Sequence, residues 1–150
     1  MKWKILIFGV LALAVFCIVP VSAAELLDRS THEVITPWYE YTSNSRAIDP
    51  MYGSVSQGSS QSFDYYVPSG KNTLEVALVW SNSQNSLNLK VLRPNNAIYG
   101  PFYDNFEGII DGKIPLVISG NPLMSGWWEF KITGDSVSGT QPFTLTANVP

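Results

Sequence analysis

The stretch Leu74-Glu75-Val76-Ala77-Leu78-Val79-Trp80-Ser81 decides the class of this chain. Leu74, Val76, Leu78 and Trp80 recur at every second position, and in an extended strand such residues share one face. On a helix the same four would scatter around the cylinder. The alternation repeats on both sides of this stretch. Phe63, Tyr65 and Val67 alternate with Ser62, Asp64 and Tyr66, and Leu87, Leu89 and Val91 with Asn88 and Lys90. Ile114, Leu116 and Ile118 form a further run; Trp128, Phe130 and Ile132 alternate with Trp127, Glu129 and Lys131; Phe143, Leu145, Ala147 and Val149 alternate with Thr144, Thr146 and Asn148. Turn residues punctuate the runs at Pro68-Ser69-Gly70-Lys71-Asn72, Arg93-Pro94-Asn95-Asn96, Gly120-Asn121-Pro122 and Thr133-Gly134-Asp135. Half-polar antiparallel sheets bury their apolar faces against each other. The pattern therefore predicts an all-β antiparallel sandwich of seven to nine strands, jelly-roll-like, over residues 61–150.

The N-terminal part reads differently. Lys2 and Lys4 precede an apolar run over residues 5–19, and Pro20-Val21-Ser22-Ala23-Ala24 supplies the small residues of a signal-peptidase site. Residues 1–23 are expected to be a signal peptide cleaved at Ala23 or Ala24, giving a secreted or cell-surface protein. An uncleaved leader is the one route to a membrane, since the run falls short of the roughly 20 residues that span a bilayer. Cys17, the single cysteine, leaves with the leader; the bulky Phe16 before it argues against lipidation. Disulfides are then excluded, and the domain must be stabilised by packing. Residues 24–60 read as a partly irregular arm, in which residues 34–42 form an edge strand at most because of Pro37.

Without the leader, seven basic residues face twelve acidic ones, a net charge of −5. A phosphate-tracking nucleic-acid binder is disfavoured, because it needs clustered Lys and Arg. A catalytic set is hard to assemble. His32 is the single histidine and lies in the arm, while Gly134-Asp135-Ser136 lacks the Gly-x-Ser-x-Gly frame and reads as an ordinary turn. One His and no Cys outside the leader exclude the usual zinc sites. Calcium is a possible cofactor, since Asp104, Asn105, Glu107 and Asp111 lie in one inter-strand loop and offer oxygen donors, although without EF-hand spacing. The competing reading is a solvated acidic loop. The aromatics are a third feature. Tyr66 and Trp127 fall on the polar face of their strands, and Trp38, Tyr39 and Tyr41 cluster in the arm. Such rings stack on sugars or anchor a protein partner, or else the arm aromatics pack over a sandwich edge with Trp127 beneath them.

The series from Leu74 through Leu87-Asn88-Leu89-Lys90-Val91, Gly126-Trp127-Trp128-Glu129-Phe130-Lys131-Ile132 and Val137-Ser138-Gly139-Thr140-Gln141-Pro142-Phe143-Thr144-Leu145 resembles the pre-peptidase C-terminal domain. That β-sandwich follows the catalytic domain of many secreted bacterial and archaeal peptidases. The resemblance implies an exported, non-catalytic accessory module that contacts a cell-surface polymer or a secreted partner protein. The alternatives are a carbohydrate-binding module using exposed aromatics and, more remotely, a small hydrolase using Ser136 and His32. Two departures stand out. Ser86-Leu87-Asn88-Leu89 replaces the Asp-Leu-Asp-Leu that some relatives use for calcium, and Asn96 stands where the turn usually has Gly. The leader and the arm take the place of a preceding peptidase domain.

Overall fold

The computed structural model describes residues 33–39 and 50–150. The leader, His32 and Tyr41 lie outside the described residues. Nine strands are present among them: β1 (Val34–Pro37), β2 (Met51–Ser56), β3 (Ser60–Val67), β4 (Thr73–Trp80), β5 (Ser86–Leu92), β6 (Ile98–Tyr103), β7 (Lys113–Ser119), β8 (Gly126–Ser136) and β9 (Thr140–Asn148). A single short 3-10 helix, Asp104–Glu107, joins β6 to β7.

The strands form two antiparallel sheets, ordered β1-β7-β4-β9-β2 and β3-β8-β5-β6. Their pairing follows one rule. β2 pairs with β9, β3 with β8, β4 with β7 and β5 with β6, as in one long hairpin. Folding that hairpin over brings β4 beside β9 and β5 beside β8, which closes a jelly roll. β1 adds a fifth strand beside β7.

The alternation read from the sequence places the core. Leu74, Val76, Leu78, Leu116, Ile118 and Leu145 from one sheet meet Leu87, Leu89, Val91, Trp128, Phe130 and Ile132 from the other, all fully buried. Each buried aliphatic or aromatic side chain contributes about 1.5–3 kcal/mol, so no disulfide is needed to hold the two layers together. Two buried polar side chains are paired near the β4–β5 loop. The Trp80 indole donates to the carbonyl of Asn85 at 3.0 Å, and the Asn85 amide donates to Gln141 at 2.7 Å.

The edge strand expected within residues 34–42 is present as Val34–Pro37, and a second piece of the arm, Met51–Ser56, is also a strand; the two form the edges of the larger sheet. β2 lacked a readable period because Gly53 and the serines interrupt it; an added Cβ on Gly53 would lie 2.5 Å from the Phe143 ring. Gly134-Asp135-Ser136 is not a turn but the end of β8. Gly134 is required there because the β2–β3 turn crosses it, with a Cβ only 2.3 Å from the Ser56 carbonyl oxygen. Finally, β6 carries no alternation. Its Gly100 sits where the strand closes on β5, 2.8 Å from the Leu89 carbonyl oxygen for an added Cβ, beside a register shift.

Proline is tolerated inside this sheet for a geometric reason. The Pro115 carbonyl accepts from the Trp38 amide at 3.1 Å, so its missing N–H faces the short edge strand β1 rather than β4. At the other end of β1, Glu33 is fixed across the layers. Its Oε2 lies 3.1 Å from Arg93 Nε and accepts from the Tyr99 hydroxyl at 2.6 Å, with both charged side chains almost fully buried. The Arg93 guanidinium also lies 5.2 Å from the Tyr99 ring centre. This cluster ties the start of β1 to the β5–β6 turn, where Asn96 adopts the left-handed conformation expected of it, φ 65°.

Candidate functional site

Residues directly opposite in antiparallel strands point to the same side, so the register defines the outer face of the smaller sheet. Four rows cross it. The first is Tyr66 and Trp127; the second Asp64, Glu129, Leu92 and Ile98; the third Ser62, Lys131 and Lys90; the fourth Ser60, Thr133, Asn88 and Tyr103. Side-chain bonds knit the rows together. Ser62 donates to Glu129 at 2.7 Å, and the Ser60 and Thr133 hydroxyls lie 2.8 Å apart.

Tyr66 and Trp127 behave as the alternation implied. Both are on the polar face, 52% and 65% exposed, and their rings meet edge to face with centres 5.3 Å apart. Each ring limits the other's motion, so the pair presents a preformed apolar step on a mostly polar surface. Trp38 and Tyr39 are elsewhere, just beyond β1 at the edge of the larger sheet. Trp38 is half-buried beside Pro115, and Tyr39 is 76% exposed. The four aromatics therefore belong to two sites on different sheets, which spacing along the chain does not reveal. Tyr103 and Ile98 were missed by sequence reasoning because Gly100-Pro101 hides the strand that presents them.

The acidic loop has its own organisation. The buried Asp104 carboxylate accepts from the backbone N–H groups of Asp111, Gly112 and Lys113 at 3.0–3.1 Å, both of its oxygens reaching Gly112. It replaces the backbone partners that this loop lacks. Lys113 Nζ binds Asp111 Oδ2 at 2.6 Å. Burial pushes the Glu107 carboxyl above its ordinary range, and repulsion from Asp111 and Asp104 adds to this against the pull of Lys113. Asn105 is exposed. Asp104 is spent on the chain's own amides, whereas Glu107 Oε1 and Asp111 Oδ1 are buried and accept no hydrogen bond among the described residues. Ser86 and Asn88, at the positions of the Asp-Leu-Asp-Leu carboxylates, add no charge. Asn88 Oδ1 is nevertheless buried and accepts no hydrogen bond among the described residues.

A shallow cleft of about 430 Å³ opens where this loop meets the β4–β5 loop, lined by Ser83, Gln84, Asn85, Tyr103, Asp104 and Ile110 among others. Ser136 is exposed at the end of β8, and its candidate base His32 lies outside the described residues.

No family model matches the chain, and no curated protein does. The fold does have a counterpart among solved structures. It is similar to the Clostridium perfringens CspB protease, with a TM-score of 0.52 and 12% identity over 65% of this chain and 25% of that one. The chain thus spans about a quarter of the protease it matches. At this identity the likeness is one of fold.

Proposed function

We propose that this chain is an exported accessory module, similar in role to the pre-peptidase C-terminal domain, that holds a cell-surface polymer or a secreted partner protein without performing catalysis. The observation that carries the reading is the Tyr66–Trp127 pair, two large rings set side by side in water on a rigid strand pair. Exposed Trp and Tyr of this kind are the residues most often found at the energetic centre of an interface. The fold likeness to part of a protease is compatible with a peptidase-associated role. A signal peptide over residues 1–23 would deliver the module outside the cytoplasm.

The test is co-sedimentation of the purified domain with cell-envelope particles, and in parallel its retention on an immobilised secreted peptidase. Trp127→Ala should weaken whichever contact is found by about thirtyfold, the effect of losing an interface centre worth ~2 kcal/mol. Unchanged retention in Trp127→Ala would remove the face from the reading.

A carbohydrate-binding module is a second reading, favoured by the flat, exposed Trp127 ring. The hydrolase alternative would require Ser136, and full retention of any hydrolytic activity in Ser136→Ala would end it.

A further inference from the structure

The aromatic pair is one corner of the outer face, and Tyr103 stands at the corner diagonally opposite. The register separates them by six residues along β8, from Trp127 to Thr133, and by two strand steps, from β8 to β6. At about 3.3 Å per residue and 4.8 Å per strand, the diagonal is roughly 22 Å. Between the corners the surface is mixed, with Leu92 and Ile98 apolar and the charges of both signs. Asp64 and Glu129 in the second row face Lys131 and Lys90 in the third, so the charges cancel, and Ser62 adds a hydroxyl. Tyr103 also forms one wall of the cleft beside the acidic loop, and next to it in the fourth row stands Asn88, more than nine-tenths buried with its Oδ1 lacking a donor.

We propose that this face binds a linear neutral glycan laid along the diagonal, one sugar ring stacking on Trp127 and another on Tyr103, with the charged rows hydrogen-bonding the hydroxyls between them. This deepens the binding reading above and rests on it. Charge balance selects the occupant. A polyanion would meet Asp64 and Glu129 and a polycation Lys90 and Lys131, each at a cost, whereas a neutral polyhydroxylated chain uses both kinds of group as donors and acceptors. Aromatic faces supply the apolar contact that a pyranose ring requires.

The test is calorimetric titration with cellohexaose, chitohexaose and xylohexaose, then with the disaccharide of whichever binds, and with a galacturonic acid hexamer as the charged control. At least one neutral hexamer should bind, with Trp127→Ala and Tyr103→Ala each weakening it about tenfold or more. Its disaccharide should bind far more weakly and be indifferent to Tyr103→Ala. Thermal unfolding of each variant separates a lost contact from a lost fold. No binding by any neutral hexamer overturns the inference, as does tighter binding of the galacturonic acid hexamer. If no glycan binds while retention on envelope particles or on the peptidase still depends on Trp127, the inference fails and the broader reading stands. Hexamer binding that ignores Tyr103→Ala overturns the two-corner arrangement.

Discussion

Removing Glu33 should cost the fold far more than its place at the start of a four-residue edge strand suggests. Glu33 Oε2 receives the Tyr99 hydroxyl at 2.6 Å and lies 3.1 Å from Arg93 Nε, while the 3.5 Å approach of the Met124 amide to Oε1 is too long to count for much. The Glu33 and Arg93 side chains are 2% and 0% exposed, so water does not replace this contact when it is lost. The charge-assisted bond from the Tyr99 hydroxyl is worth about 1.5–3 kcal/mol, and breaking buried ion pairs typically costs about 3–5 kcal/mol. Glu33→Ala should therefore lower the unfolding free energy in guanidinium titration by roughly 4 kcal/mol and Tm by roughly 10–20 °C. Glu33→Gln, of the same shape, should recover only part of this, because Arg93 stays buried without that counter-charge. The triple change Glu33→Met, Arg93→Met, Tyr99→Phe removes all three polar groups together and should return to within about 1–2 kcal/mol of the parent. A loss below about 1 kcal/mol for Glu33→Ala would refute the reasoning, since that is the scale of a solvent-exposed pair.

The loop between β6 and β7 supports three further expectations. Asp104→Ala strips acceptors from three backbone amides and should cost about 3 kcal/mol, Asp104→Asn about half, both read by chemical denaturation. Glu107 has its proton affinity raised in the folded state, so its ionised form opposes folding above the folded-state value, and the burden disappears below its ordinary value of 4.5. Glu107→Gln should accordingly raise Tm at pH 7 and lose that advantage as a pH series descends below 4.5. Gly112→Ala places a Cβ 2.5 Å from the Trp80 carbonyl oxygen at φ +81°, whereas Gly139 at φ +75° has open space around it. The first should cost about 3 kcal/mol or more and the second only the ~1–2 kcal/mol of the left-handed conformation.

What the sequence made legible follows from burial. Strands covered on one face write their environment into the chain with a period of two, which is why β3, β4, β5, β8 and β9 and the core they form could be read from residue order. Edge strands are subject to weaker demands, although β3, an edge of the smaller sheet, keeps its alternation. β1 is short and ends in Pro37, β2 is diluted by Gly53 and serines, and β6 is interrupted by Gly100-Pro101, so all three escaped or nearly escaped the pattern. The face bearing Tyr66 and Trp127 was legible because an aromatic on the polar side of an alternating strand breaks the rule that placed it there. Tyr103 was not, for its strand was not. In the acidic loop, spacing shows four oxygen-bearing residues within eight positions, but not that Asp104 turns inward to serve amides of its own loop, a use that depends on three-dimensional closure. The Glu33–Arg93 contact joins residues 60 positions apart and leaves no local trace.

The strand pairing carries a consequence for how the chain acquires its shape. β9, the last strand, lies between β4 and β2 in the larger sheet, so Met51 meets its partner Leu145 only after everything between them has been made. Until then two strand edges stand open and half the core lacks its cover. Pairings this distant make for slow folding, and a chain emerging from its N-terminus cannot complete the sandwich piecemeal. The time spent extended is a hazard where chains are crowded, because open edges recruit one another.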